Sequence, residues 1–309
     1  MKRIGLHVLT ALAMLLCARP LHAAETVAVL LSERAGAYAE LADALRRELG
    51  DAAELRSHAL SEVDTLIASR PRVAVAVGTQ ACASLAANAA LSTASTGVLC
   101  TLVPRSSFER IAETSGERGK ALAAIVLDQP IPRQLNLLRA AFPERRHVAA
   151  LLGPESAALG GALAAAAAQQ GLRLSTARVA SSDDIHEGLQ RVLAEGEVLL
   201  ALPDSAVFNA STIQNILRTA LQRRAPLVAF SPAYVRAGAV LALYSTPEQL
   251  GAQAGQAVRA RLAGRALARV LPPRQFQVSI NPHVARALGL RLPEEAALAE
   301  RLRQSEEPQ

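Results

Sequence analysis

Tryptophan is absent from this 309-residue chain, which has only three tyrosines and five phenylalanines. Aliphatic side chains must therefore build whatever cores it forms. The signatures of several enzyme classes are also missing. There is no G-x-S-x-G elbow for a hydrolase serine, and no G-x-x-x-x-G-K phosphate loop or G-x-G-x-x-G dinucleotide turn. Gly78 stands alone in "VGTQ". His58, His147, His186 and His283 are scattered, without the cysteine or carboxylate spacing a metal needs. No basic run is interleaved with aromatics, so a nucleic-acid partner is not expected. Ser205 lies beside Asp204, but neighbours along a strand point to opposite sides, and no histidine is placed to act as base. Neither catalysis nor a cofactor is expected.

What the chain does have begins at its N-terminus. Lys2 and Arg3 precede an apolar stretch from Ile4 to Cys17, and small residues end at Ala23. That is the layout of a secretory signal peptide over residues 1–23, too short in its apolar part to span a bilayer. Its removal takes away Lys2, Arg3 and Arg19, so the formal charge falls from +6 to +3. Export points to the periplasm, where the two remaining cysteines, Cys82 and Cys100, either form one disulfide or sit as small buried apolar residues. A mature chain of this size exceeds a single core, so two lobes are the default.

Short β-rich runs alternate with amphipathic helical stretches. "TVAVLLSE", "RVAVAVGTQ", "TGVLCTLV", "LAAIVLDQ", "RHVAALLGPES", "EVLLALPDS" and "PLVAFSP" are nearly continuous in Val, Ala and Leu. Such runs read as parallel strands buried on both faces. Helices between them complete βαβ units. The alternation restarts at "LAAIVLDQ" (122–129), giving an α/β fold of two doubly wound parallel-sheet lobes. Ligands bind such sheets at the carboxyl edge of the strands.

The strand ends share one chemistry. Ser32 and Glu33 close the first strand, and Thr79 and Gln80 close "RVAVAVG"; Glu155 and Ser156 follow "LLGP", Asp204 and Ser205 follow "LLALP", and Ser231 ends "LVAF". These side chains can hydrogen-bond a polar ligand, and Asp204 is the preferred anchor for a cationic group such as an α-amine. The alternative for each is a helix N-cap, a place where Ser, Thr and Asp are the favoured residues. Tyr234 and Tyr244 are candidates for stacking on an apolar group or for core packing.

Three stretches carry a resemblance. "YSTPEQLGAQAGQAVRARLAG" is similar to the segment after the last hinge strand of type I periplasmic binding proteins. "FQVSINPHVARALGLRLP" resembles the closing segment of the ABC-transporter substrate-binding family that includes aromatic-amino-acid binding proteins. "QLNLLRAAFPERRHVAALLGPES" resembles that family's interlobe helix and next strand. The stretch "CTLVPRSSFERIAETSGERGKAL" departs from it, lacking the family's Asp-Pro and Gly-Gly-Asn. The resemblance implies a monomeric clamshell joined by a hinge. Its N-terminal lobe would comprise residues 24–121 plus 246–268, and its C-terminal lobe 122–245 plus 269–309. It also implies a small, amino-acid-like ligand, an ABC permease as partner, and Thr79, Gln80, Asp204 and Ser231 in ligand-facing loops. A ligand sensor or envelope-assembly partner on the same fold is the alternative.

Overall fold

The computed structural model describes residues 26–88, 91 and 96–306; the expected signal peptide at 1–23 lies outside them. In chain order, the first part runs β1 (Thr26–Leu31), α1 (Ala37–Leu49), β2 (Glu54–Ala59), α2 (Val63–Ala68), β3 (Val73–Val77), α3 (Thr79–Ala87), β4 (Gly97–Val103), α4 (Arg105–Thr114) and β5 (Leu122–Val126). Next come α5 (Ile131–Ala141), β6 (His147–Leu152), α6 (Gly160–Gln169), β7 (Arg173–Arg178), α7 (Asp184–Val192), β8 (Val198–Leu200), α8 (Ile213–Gln222), β9 (Leu227–Ala229), α9 (Pro232–Ala237) and β10 (Leu241–Tyr244). The chain finishes with α10 (Pro247–Leu262), β11 (Val270–Leu271), β12 (Gln277–Ile280), α11 (Pro282–Ala287) and α12 (Glu295–Glu306).

Two six-stranded sheets result, ordered β11-β5-β4-β3-β1-β2 and β12-β10-β9-β8-β6-β7. Their pairings are parallel except β10 with β12. Because successive side chains on a strand alternate faces, each sheet divides its apolar residues between two cores. In the first sheet, Ala28 and Leu30 pack with Leu66, Leu85 and Phe108, while Val27, Val29 and Leu31 pack with Leu41, Leu45 and Leu250. In the second, Val148 and Ala150 face Leu135 and Leu298, and Ala149 and Leu151 face Leu189 and Ile216. This is the doubly wound pair the apolar runs predict.

The expected division of the chain needs one correction. β5 hydrogen-bonds β4 and β11 hydrogen-bonds β5, so both belong to the first sheet, although residues 122 and 269 were expected to begin stretches of the second lobe. An apolar run identifies a buried strand but not the sheet that receives it. Two helices were also not anticipated. α4 has no local side-chain cap; its Arg105 N–H is taken by Asp128 Oδ2 at 2.6 Å, 23 residues away. α12 buries Leu298, Ala299 and Leu302 against the face of the second sheet that α5 covers.

Three passages join the sheets. Residues 127–130 lead from β5 to α5, residues 245–246 lead from β10 to α10, and residues 272–276 lead from β11 to β12. α10 returns to the first sheet and lies directly on α1. A Cβ on Gly251 would stand 2.4 Å from the Leu41 carbonyl, and one on Gly255 2.5 Å from Glu48 Cγ, so only glycine permits this approach. The first two passages leave the carboxyl ends of β5 and β10. Gln129 Nε2 donates to Ser245 Oγ at 2.9 Å, which holds those two ends together. The carboxyl edges of both sheets therefore lie on the side of the passages, where a cleft between lobes belongs.

Candidate functional site

On the first lobe, β1 and β3 end side by side, and their loops meet at the start of α3. Ser32 Oγ accepts the Ala81 N–H at 3.0 Å, capping the first turn of α3 from another strand. Gly78, at φ 96°, makes this possible: a Cβ there would stand 2.5 Å from Ser32 Oγ and 2.6 Å from Tyr38 Cε1. The Ser32 cap leaves the backbone N–H groups of Thr79 and Gln80 without an acceptor among the described residues. Thr79 is half-buried, and Gln80 and Glu33 are exposed.

Apolar surface borders this edge. Tyr38, Leu102 and Leu127 are partly exposed and pack on the same core face. Leu102 sits at φ 55°, in a register shift that ends β4. A branched side chain in that region is a costly conformation that concentrates at functional sites. Tyr38 was missed in the sequence, where it reads as one more residue of an amphipathic helix. Cys82 in α3 and Cys100 in β4 form a disulfide that anchors α3 to the sheet.

On the second lobe the structure gathers Glu155, Ser156, Asp204 and Ser205. Asp204 is 3% exposed. Its Oδ2 accepts the Glu155 N–H at 3.0 Å, the Ser156 N–H at 2.8 Å and the Ser156 hydroxyl at 2.8 Å, and its Oδ1 accepts the Ala206 N–H at 3.1 Å. Ser156 Oγ in turn accepts the Gly153 N–H at 3.0 Å. Glu155 completes the knot, accepting the Ser205 N–H at 3.0 Å and hydroxyl at 2.9 Å. Asp204, the preferred ligand anchor in the sequence, is thus a staple that ties the loop after β8 to the loop after β6. The reason is geometric: four donors converge on it, three of them from residues 48 or 49 positions away.

Ser231 and Tyr234 stand at the start of α9. The Ser231 side chain makes no cap bond, while Tyr234 donates its hydroxyl to the Phe208 carbonyl at 2.9 Å. Burial pushes the Tyr234 phenol above its ordinary value. Its ring meets Phe230 edge-on at 4.9 Å between centroids, and Phe208 closes the trio. Tyr234 is therefore half core. Tyr244, at the end of β10, shares a hydrogen with Ser279 Oγ at 2.9 Å. Gln129, Arg133 and Ser245, on or beside the passages, also escaped the sequence reading; the signal was a polar residue directly after an apolar run in "LDQP" and "LYSTP".

Comparison with known proteins accounts for this arrangement. The family described as ABC transporter substrate binding protein matches residues 40–301. The chain belongs to that family. No curated protein matches it. Among solved structures, this substrate-binding protein is similar to a ligand-free, open substrate-binding protein with adhesive properties from Clostridium difficile. That likeness has a TM-score of 0.65 and 15% identity, covering 88% of this chain and 96% of the other. A conserved domain protein from Vibrio cholerae gives a TM-score of 0.58 at 21% identity, covering 90% of this chain and 98% of its own. An ABC domain from Streptococcus pneumonia in complex with L-Trp gives 0.57 at 16%, again covering 90% and 98%. These likenesses establish the fold, that of type I periplasmic binding proteins. Among the described residues, no helix is long and apolar enough to cross a membrane, and no cluster of three metal-ligating side chains occurs.

Proposed function

We propose that this substrate-binding protein is exported by residues 1–23 and works as a periplasmic monomer. It captures a small ligand between its lobes and delivers it to an ABC permease. The observation that carries the reading is the pairing of two sheet edges across three short passages in a chain of this family. Ligand contacts from both edges favour the closed form by differential binding.

The side chains left free at those edges define the ligand class. Ser32, Ser156, Asp204 and Tyr234 spend their polar atoms on the protein itself. The N–H groups of Thr79 and Gln80, the side chains of Thr79, Gln80, Glu33 and Ser231, and the apolar strip of Tyr38, Leu102 and Leu127 remain. A helix start with open N–H groups favours an anionic group. The ligand is therefore a small carboxylate with an apolar body. An amino acid fits this description, and the L-Trp bound to the streptococcal neighbour supports it.

Thermal-shift screening of the mature chain against amino acids, other small carboxylates and sugars tests the reading. Binding at a hundredfold excess over Kd stabilises by about 2.7 kcal/mol. No shift with any small solute would overturn it.

A further inference from the structure

The three passages between the lobes are laced together by one buried arginine. Arg133, in the first turn of α5, is 5% exposed. Its Nη1 donates to Gln129 Oε1 at 2.8 Å and to the Pro273 carbonyl at 2.9 Å, so it grips the first and third passages. Gln129, 6% exposed, passes the grip to Ser245 of the second passage at 2.9 Å, and Ser245 donates to the Gln275 carbonyl at 2.5 Å. The other side of the guanidinium is held in a fork: Nε and Nη2 donate to the two oxygens of Glu306 at 2.5 and 2.7 Å. The Phe276 ring lies 4.4 Å beneath it.

Glu306 is the last residue of α12, which packs on the second lobe beside α5. Arg133 and Glu306 therefore move with that lobe, while Gln129, Ser245, Pro273 and Gln275 lie on the segments that must bend when the lobes close. A guanidinium is a planar fork, so a bidentate carboxylate fixes the direction of its remaining N–H groups. The carboxylate is also the only acidic partner of this buried cation among the described residues. Without it, the arginine turns toward water and lets go of Gln129 and Pro273.

We propose that α12 sets the resting angle between the lobes, with Glu306 and Arg133 as positioning residues for closure. This rests on the closing motion of the proposed function but not on the identity of the ligand. Double electron–electron resonance on ligand-free protein tests it. Spin labels at Asp64→Cys on α2 and Ala165→Cys on α6, both exposed, report the distance between lobes with the native disulfide intact. Glu306→Ala and Gln129→Ala are expected to broaden the distance distribution and shift its mean, and Glu306→Gln to do so less. Glu300→Ala, which breaks only surface bonds to Arg303 and Gln304 on the same helix, is expected to leave the distribution unchanged. Should Glu306→Ala fail to fold, Glu306→Gln and Gln129→Ala carry the comparison. Distributions that superpose on the wild type in those variants overturn the proposal. So does an equal change in Glu300→Ala, because helix stability alone would then be the cause. A failed ligand screen with altered distributions would sink only the binding function, and unaltered distributions in a protein that binds would sink only the hinge brace.

Discussion

Asp204→Ala separates a ligand anchor from a loop staple, and the structure predicts the staple. The substitution leaves the N–H groups of Glu155, Ser156 and Ala206 and the Ser156 hydroxyl without their acceptor. The amides of Glu155 and Ala206 are partly buried and can rehydrate. The two Ser156 donors cannot, since that residue is 0% exposed. A buried donor left unpaired costs about 1–3 kcal/mol, so the expected loss is about 3 kcal/mol. Against a urea slope of about 2 kcal/mol per molar, the unfolding midpoint falls by about 1.5 M. Asp204→Asn keeps one acceptor oxygen for the Ser156 side and should fall by less than half of that. Far-UV circular dichroism gives the midpoints, and hydrogen exchange should show the Ser156 and Ala206 amides losing protection first. Ligand affinity measured well below the transition should change little. If Asp204→Ala unfolds at the wild-type midpoint and loses ligand response, the carboxylate faces the ligand and the staple reading is wrong.

Three further outcomes follow from the same geometry. The Cys82–Cys100 bond closes a loop with a sequence separation of 18; removing it as a Ser–Ser pair should cost about 3 kcal/mol in urea unfolding, and a loss well below 1 kcal/mol would count against that loop-closure account. Gly251→Ala must push α10 off α1, because its Cβ lands 2.4 Å from the Leu41 carbonyl, and should cost about 1–3 kcal/mol; an unchanged melting temperature would contradict the close approach. Burial raises the Asp128 carboxyl above the ordinary aspartate range, against the opposing bond from the Arg105 N–H. Its folded value then lies above its unfolded one, so its contribution to stability is fully present below about pH 3.9 and is lost as pH rises through the raised value. Asp128→Asn still accepts from Arg105 and escapes that loss, so its stability relative to the wild type should grow as pH rises from about 4 to 7; a gap that stays flat or shrinks rejects the sign.

Much of the architecture was legible because burial on both faces leaves a plain mark. Runs such as "VAVLL" and "VAVAV" have no polar residue to spare, and their alternation with helices leaves few topologies. Membership of a sheet left no such mark: "LAAIV" reads the same whether it extends the first sheet or starts the second. α4 was hidden for a related reason, since its cap comes from Asp128 across the fold. At the site, the sequence located Ser156 and Asp204 correctly at strand ends. It could not show that they meet, because a carboxylate that binds a ligand and one that binds its own backbone look identical until the donors are placed around it. The same holds for Glu306, a charged residue near a chain end whose partner lies 173 positions away.

What remains open at the sheet edges leads to a last prediction, on the chemistry of the ligand. The second-lobe knot supplies shape and few free polar atoms, because the carboxylates of Asp204 and Glu155 and the Ser156 hydroxyl are already hydrogen-bonded within the protein. On the proposed function, charge recognition then falls to the first lobe, where the N–H groups of Thr79 and Gln80, open among the described residues, sit at the positive end of α3. In a matched series with one apolar body, a free carboxylate should bind more tightly than its amide or alcohol. The preference should weaken as salt screens the interaction. Thr79→Pro, which removes one of those N–H groups at a position in the first helical turn where proline is tolerated, should reduce the carboxylate preference and leave the unfolding midpoint near the wild-type value. Isothermal titration of the three ligands into both proteins decides it. Equal affinity for the carboxylate and its amide would mean that the start of α3 does not hold the ligand, and recognition would then have to come from the half-buried aromatic edge of the second lobe.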